Sequence, residues 1–539
     1  MTMRYAGTMK RLLSLVLVAL LGLAGCGGGT PGVGESIILQ RGNGEEPESL
    51  DVHKSTSTEA GNVQRDLGEG LVGYSPDGEL VPAAADHWTL SEDGTVYTFT
   101  LRPDGRWSNG DPVTAADFVY SYRRLVDPAT AALYTQSITE IANARAIIAG
   151  DLSADALGVA ALNVHELEIT LAQPVPYFLS LLTHPSMFPV HQGSVEQHGD
   201  QHARPGNLVS NGAYRLVSWE IGSYIEIERN EHYWNDQNTA IDRVRHHVTP
   251  EPMVELNRYR AGELHTTRTI PPEMFERMKS TRPDEVRVSP ALGVYYYGFN
   301  LSKPPFDENA RLREALSMAI DRETIVNLVG RGETPAYSWV PAGTMNYESQ
   351  EVDWADLLQE ERHRKARQLY REAGYGPDKP FTTTIRYNTH EVHRQIAVAI
   401  QAMWRDVLGV EAELINEEFQ VLIANIQQGN TDVFRLNWNG DYNDAHTFLS
   451  TLESINPSNF TGYESVEFDS LMRRAAAQTD ATGRRFYLEE AEKQVLRDHP
   501  LIPIYFNVNK SMVSPAVRGW GDNVLNYHYS QHLSLASED

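Results

Sequence analysis

Thr382-Thr383-Thr384-Ile385-Arg386-Tyr387-Asn388, residues 390–408, and Val410-Glu411-Ala412-Glu413-Leu414 after Gly409 together decide the fold class. The first segment alternates and is rich in β-branched residues, which predicts a strand. The second reads as a helix with Gly409 as its stop, and the third as another strand. A strand–helix–strand unit of this kind predicts an α/β domain with a right-handed crossover.

The same reading extends in both directions. Residues 294–300 form a predicted strand, and a periodic helix follows from Glu308 to Ile320 with Leu312, Ala315, Leu316 and Ala319 on one face. Ala366, Leu369 and Tyr370 belong to a helix ending at Gly374. The early chain is richer in strands, with residues 95–101 between the turns Ser91-Glu92-Asp93-Gly94 and Arg102-Pro103-Asp104-Gly105. Thr114 then caps a helix over 115–125, with Asp117 in its first turn. Residues 167–171 are a strand stopped by Pro174-Val175-Pro176, and residues 212–216 and 224–228 pair around Trp219. No fixed-period repeat is present, which excludes a solenoid or propeller.

The chain has 539 residues, with 46 Lys+Arg against 72 Asp+Glu and a formal charge of −26. At roughly 100–200 residues per domain, this length predicts two to four domains. A 41% hydrophobic and 22% charged composition describes a water-soluble globular protein. The acidic balance argues against a nucleic-acid partner, because no surplus of cations is available to displace phosphate counterions. Its plainest use is solubility.

Arg4, Lys10 and Arg11 precede an apolar run from Leu12 to Leu23, shorter than the ~20 residues of a spanning helix. A signal peptide over residues 1–25 is expected instead. It ends in Leu23-Ala24-Gly25-Cys26, which resembles the lipobox of bacterial lipoproteins, and Cys26 is the single cysteine of the chain. Lipidation of Cys26, a flexible glycine-rich tether over 26–34 and an extracytoplasmic, membrane-anchored location in the periplasm or at the cell surface follow as expectations. With one cysteine, no intramolecular disulfide can form.

Several segments, in order along nearly the whole mature chain, resemble the large periplasmic solute-binding proteins of peptide ABC importers (family 5). They include Glu48-Ser49-Leu50-Asp51, Val63-Gln64-Arg65-Asp66-Leu67, Trp107-Ser108-Asn109-Gly110-Asp111-Pro112 and Asn211-Gly212-Ala213-Tyr214. Further members are Ala319-Ile320-Asp321-Arg322, Tyr387-Asn388-Thr389, and Phe434-Arg435 with Trp438, Asp441, Tyr442 and Asn443. The resemblance implies a three-domain, periplasmic-binding-protein-like (type II) α/β clamshell with discontinuous domains. Domain I would comprise 35–71, 193–292 and 509–539, domain II the inserted residues 72–192, and domain III residues 293–508. It further implies a monomer without cofactors that captures short oligopeptides and delivers them to an ABC permease and its ATPase. A murein-derived peptide or another small solute is the alternative ligand, and an exported hydrolase the alternative class.

Read locally, Arg435, Trp438 and Asp441 are a strand with an ion pair followed by a loop. The resemblance gives them a second reading, in which Asp441 holds a peptide α-ammonium through a charge-assisted hydrogen bond. Arg435 and His393 match family positions that meet the peptide carboxylate, and a proton on His393 would make that contact pH-dependent. Family lysines expected after Ile325-Val326-Asn327 are missing, since Leu328 and Gly330 stand there beside Arg331. Glu59 matches a cleft-lining acid. Trp438, Tyr442 and Tyr295, Tyr296 and Tyr297 are candidate pocket walls, although for the tyrosine run alone core packing of an alternating strand is the more common explanation.

Other chemistry finds little support. His390-Glu391-Val392-His393 is one residue short of the helical zinc motif. His191, His198 and His202 lie in a polar, glycine-containing segment, and no metal site is expected there. No Gly-x-Ser-x-Gly nucleophile elbow occurs, and no catalytic residue is assigned.

Overall fold

The long helix Glu391–Leu408 shows how the sequence builds the larger sheet region. His390 caps it, its Nδ1 accepting the Val392 N–H at 3.2 Å, and Gly409 ends it at φ +74°, a conformation that favours glycine. Ile396, Ala397, Ile400, Trp404 and Leu408 recur at helical spacing and are all buried. Burial of each large apolar side chain contributes about 1.5–3 kcal/mol. Trp404 adds an indole N–H donated to the Leu316 carbonyl at 2.9 Å. The flanking strands Thr382–Asn388 and Glu411–Glu417 pair in parallel, as the crossover requires.

The computed structural model describes residues 36–478 and 480–536. The expected signal peptide, Cys26 and the tether over 26–34 lie outside the described residues. From Ile37 onward the chain packs as one compact unit. No helix among the described residues is long and apolar enough to cross a membrane.

Three sheets organise this unit. A six-stranded mixed sheet has the order Thr334–Pro335, Leu501–Met512, Val286–Phe299, Val433–Asn439, Thr382–Asn388, Glu411–Glu417. One core on it gathers Tyr295, Tyr297, Leu316, Ile385, Ile400 and Trp404, and a second gathers Tyr296, Trp339, Phe434, Phe448 and Phe468. The tyrosine run therefore alternates between two cores, as a strand buried on both faces must. A four-stranded sheet pairs Ile38–Gly44 in parallel with Arg243–Val248, which continues antiparallel into Tyr224–Arg229 and Tyr214–Glu220. The third sheet is antiparallel, in the order Ala85–Leu90, Val96–Leu101, Glu166–Thr170, Val159–Ala161. Helix Ala115–Val126 buries Phe118, Tyr122 and Leu125 in the core of this third sheet. Asp117 accepts hydrogen bonds from both the backbone N–H and hydroxyl of Thr114 at 2.7 and 2.8 Å, closing the first turn.

Two features tie these regions together. Strands Val286–Phe299 and Leu501–Met512 form a long antiparallel ribbon whose register is interrupted between Pro290 and Val294. Near the N-terminal sheet, buried Asp66 accepts from the Ser530 N–H and hydroxyl, both at 2.7 Å, and lies 3.0 Å from His246 and 3.7 Å from Arg41. This network fixes the C-terminal tail against helix Thr58–Leu67.

Candidate functional site

The parallel pairing between Thr382–Asn388 and Val433–Asn439 covers only Ile385↔Val433 and Arg386↔Phe434. Beyond Phe434 the second strand keeps its antiparallel partner, Val286–Phe299, out to Asn439. Its other edge is left without a strand over residues 435–439, where backbone N–H and C=O groups need partners. Arg435 stands at one end of this open edge and Asp441 just beyond the other. Six extended residues span at most about 20 Å, which sets the scale of the site.

Arg435 is 7% exposed. Its guanidinium lies over the Tyr295 ring at 4.1 Å and donates from Nη1 to Asn388 Oδ1 at 3.0 Å. Nε has no partner, and no carboxylate lies within salt-bridge distance among the described residues. The local ion pair read from sequence is therefore not formed: Asn388 and Tyr295 hold the cation instead. A buried guanidinium without a counter-ion is costly, and a carboxylate delivered by a ligand would remove that cost.

His393 faces the same group. Its Nδ1 is 3.2 Å from the Tyr295 hydroxyl, and its ring lies against Tyr295 and His390. Burial, then the charges of Arg435, His390 and Arg331, push its pKa down to about 3, so the imidazole is neutral at neutral pH. Arg331 is thus near enough for its charge to act on this end of the site. Tyr505 stacks on Tyr295 at 4.6 Å and completes the wall.

Asp441 is open to solvent, yet burial by its surroundings lifts its carboxyl above the usual aspartate value. No cation pairs with it among the described residues. Its loop is held firmly: the Asp441 N–H donates to Thr447 Oγ1 at 3.1 Å, and the Gly440 N–H to Leu292 O at 2.9 Å. Trp438 donates its indole N–H to Thr447 O at 2.9 Å, so this side chain anchors the loop from below. Asp444 receives both Nη atoms of Arg484 at 2.7 Å. Tyr442 pairs with His446 Nδ1 at 2.8 Å and stacks on Tyr177 with centroids 4.6 Å apart, reaching the region of the third sheet.

Asp441 lines two adjoining cavities. The larger, about 350 Å³, runs between the 55–58 loop, helix Thr58–Leu67 and the 439–441 loop. The other, about 250 Å³, is walled by Tyr134, Tyr442, Tyr527 and several hydroxyl side chains. Glu59 is directed elsewhere: its carboxylate is 3.5 Å from Arg268, while Thr58 and Gly61 on either side of it line the larger cavity. Of the histidines in the polar segment, His191 lies near Asp111 and His202 near Asp51, both at 3.1 Å.

Sequence reasoning missed Asn388 as the holder of Arg435, and missed Arg65, His184, Tyr134 and Tyr527 as cavity walls. Arg65 and Asn388 occur in segments that carried the resemblance, but neither has a local pattern that marks it as lining a site. Their placement depends on which chain segments meet in space.

An α/β body with opposite charges at the two ends of an open sheet edge is the build of a solute-binding protein. Residues 79–460 match the family described as bacterial extracellular solute-binding proteins, family 5 Middle. The chain belongs to this family. It is 40% identical over 506 residues to the periplasmic oligopeptide-binding protein OppA of Escherichia coli (strain K12), covering 93% of each chain. Among solved structures, an unliganded open form of the periplasmic murein tripeptide-binding protein MppA superposes with a TM-score of 0.90 at 36% identity, covering 93% of this chain and 98% of that one. The Haemophilus influenzae OppA complex with the peptide RPPGFSPFR gives 0.68 at 38% identity, covering 93% and 99%.

Proposed function

We propose that this protein is an extracytoplasmic receptor that captures short peptides by their backbone and termini and passes them to an ABC import permease. The observation that carries this reading is the unpaired edge over 435–439, bounded by Arg435 and Asp441. An extended peptide laid on that edge satisfies free backbone groups whatever its side chains. Its ammonium meets Asp441 and its carboxylate meets Arg435 beside His393, each exchanging a poorly compensated charge for an ion pair. Trp438 and Tyr442 support the loop from which Asp441 acts, and Glu59 contributes through Arg268 rather than by direct contact. No bond of the ligand is broken in this scheme.

Capture proceeds by closure of domains I and III around the ligand, with domain II carried on domain I. The higher TM-score to an open, unliganded relative than to a peptide complex of similar identity supports an open arrangement here. Contacts made from both sides only when closed shift the population toward the closed state. Cys26 is assigned as the lipid attachment site that keeps this monomeric receptor beside its permease.

Native mass spectrometry of the purified protein, followed by denaturing release, tests the reading. A mixture of short peptides, lost or weakened at least about tenfold in Asp441→Ala, is expected for loss of a charge-assisted contact. Murein-derived peptides in the released fraction would narrow the ligand class. A single non-peptide ligand, or a protein that ignores a peptide library, would overturn it.

A further inference from the structure

The larger cavity beside Asp441 holds a second charge that the capture of termini does not use. Among its described lining residues there is one carboxylate, Asp441, and one guanidinium, Arg65. Arg65 lies in the last turn of helix Thr58–Leu67 and is 8% exposed. Its guanidinium lies 3.5 Å from the centre of the Tyr527 ring, Nε has no hydrogen-bond partner, and no carboxylate of the described residues lies within salt-bridge distance. Cation–π contact recovers part of the hydration lost on burial, but it provides no acceptor for the N–H groups.

The surroundings keep this position free for an anion. A Cβ on Gly61 would fall 2.9 Å from Arg65 Nη1, so glycine leaves room for the guanidinium. Gln64 turns its amide to Ser55 Oγ at 2.6 Å rather than toward Arg65. His184 is held neutral by burial and by the charge of Arg65 itself, and it accepts the Ser186 N–H at 3.2 Å. No other cation lining the cavity competes for a carboxylate.

We propose that Arg65 is a specificity-determining residue that selects ligands carrying a carboxylate within the first two residues, next to the ammonium that meets Asp441. This rests on the peptide-receptor reading and specifies its substrate class. A carboxylate there forms a forked, charge-assisted pair with a guanidinium already oriented by Tyr527. The shared chemistry has two sources: an acidic side chain at position one or two, or the terminal carboxylate of a dipeptide.

Isothermal titration with matched pairs separates these sources. Glu-Ala-Ala is compared with Gln-Ala-Ala, Ala-Glu-Ala with Ala-Gln-Ala, and Ala-Ala with its C-terminal amide. At least one acidic member should bind about tenfold tighter than its neutral partner, and Arg65→Gln should bring that ratio close to one. The ratio is the decisive readout, because a merely structural Arg65 would weaken both members alike. Should Arg65→Gln unfold, Gly61→Ala crowds Nη1 while retaining the charge and should lower the same ratio. Equal affinities within all three pairs, with measurable binding, would overturn this inference and leave the receptor reading intact. Binding of none of the peptides would overturn both.

Discussion

Arg435, like Arg65, is buried with no opposite charge in salt-bridge distance among the described residues. Asn388 contributes one hydrogen bond and Tyr295 one aromatic face, and both preserve the orientation of the guanidinium before a ligand arrives. Asn388→Ala should therefore weaken peptide binding by about fivefold, the order of one hydrogen bond, while leaving the melting temperature nearly unchanged. Titration calorimetry beside a thermal melt checks this. The identity of Arg435 was legible in its motif, but its isolation was not. Sequence places an acid six residues away, which suggests an ion pair; only the end of the strand and the turn at Gly440 separate the two groups.

Three kinds of interaction converge on the loop after strand Val433–Asn439 within ten residues or fewer. Backbone caps from Thr447, the paired hydrogen bonds from Arg484 to Asp444 and the Tyr442–Tyr177 stack act on different sides of it. Asp444 and Arg484 are both mostly shielded, and breaking such a pair from one side costs about 3–5 kcal/mol. Arg484→Met should lower the thermal unfolding midpoint by several degrees and reduce peptide affinity through displacement of Asp441. Asp444→Asn, which keeps an acceptor for one Nη, should do less of both.

At this scale the sequence was informative about periodic elements. Helix Glu391–Leu408 and its two parallel strands follow from apolar spacing and a terminal glycine. The expected strand over 294–300 proved to be the end of a longer one, Val286–Phe299, because Ser289 and Pro290 interrupt its pattern. The unpaired edge was not legible at all: it depends on where two strands stop meeting, which neither strand encodes alone.

Across the whole molecule, buried histidines and buried glutamates pull the response to acid in opposite directions. Burial, with neighbouring guanidinium charges in several cases, pushes His53, His184, His393, His499 and His528 down to about 3. In the unfolded chain such groups take up protons near pH 6.5, whereas the folded chain does not until near pH 3. At these histidines the unfolded state thus binds more protons throughout this window, and their contribution to folding stability falls as pH falls. Each of the well-buried groups, His53, His184, His499 and His528, contributes up to about 1.4 kcal/mol per pH unit below 6.5, and the more exposed His393 less. Asp51 and Asp66, whose hydrogen bonds and neighbouring cations hold them below the ordinary range, add a further loss below about pH 4. Burial lifts Glu69, Glu255 and Glu492 to about 7, and these act in the opposite sense over the same window, so the histidine contribution is read as a difference: His499→Gln or His528→Gln should lose less stability between pH 7.5 and pH 5 in urea unfolding than the parent protein. An equal loss in parent and variants would contradict the assignment.

The interrupted ribbon of Val286–Phe299 and Leu501–Met512 has a mechanical consequence. Where its ladder is continuous, it resists bending as a stiff rod; between Pro290 and Val294 the missing rungs make an articulation. The amides of 291–293 should consequently exchange with deuterium faster than those of 297–299, and ligand seated in the cavity that Ala291 and Leu292 line should slow them. A cross-link across that joint would lock the angle between the rods while leaving every surface at either end intact.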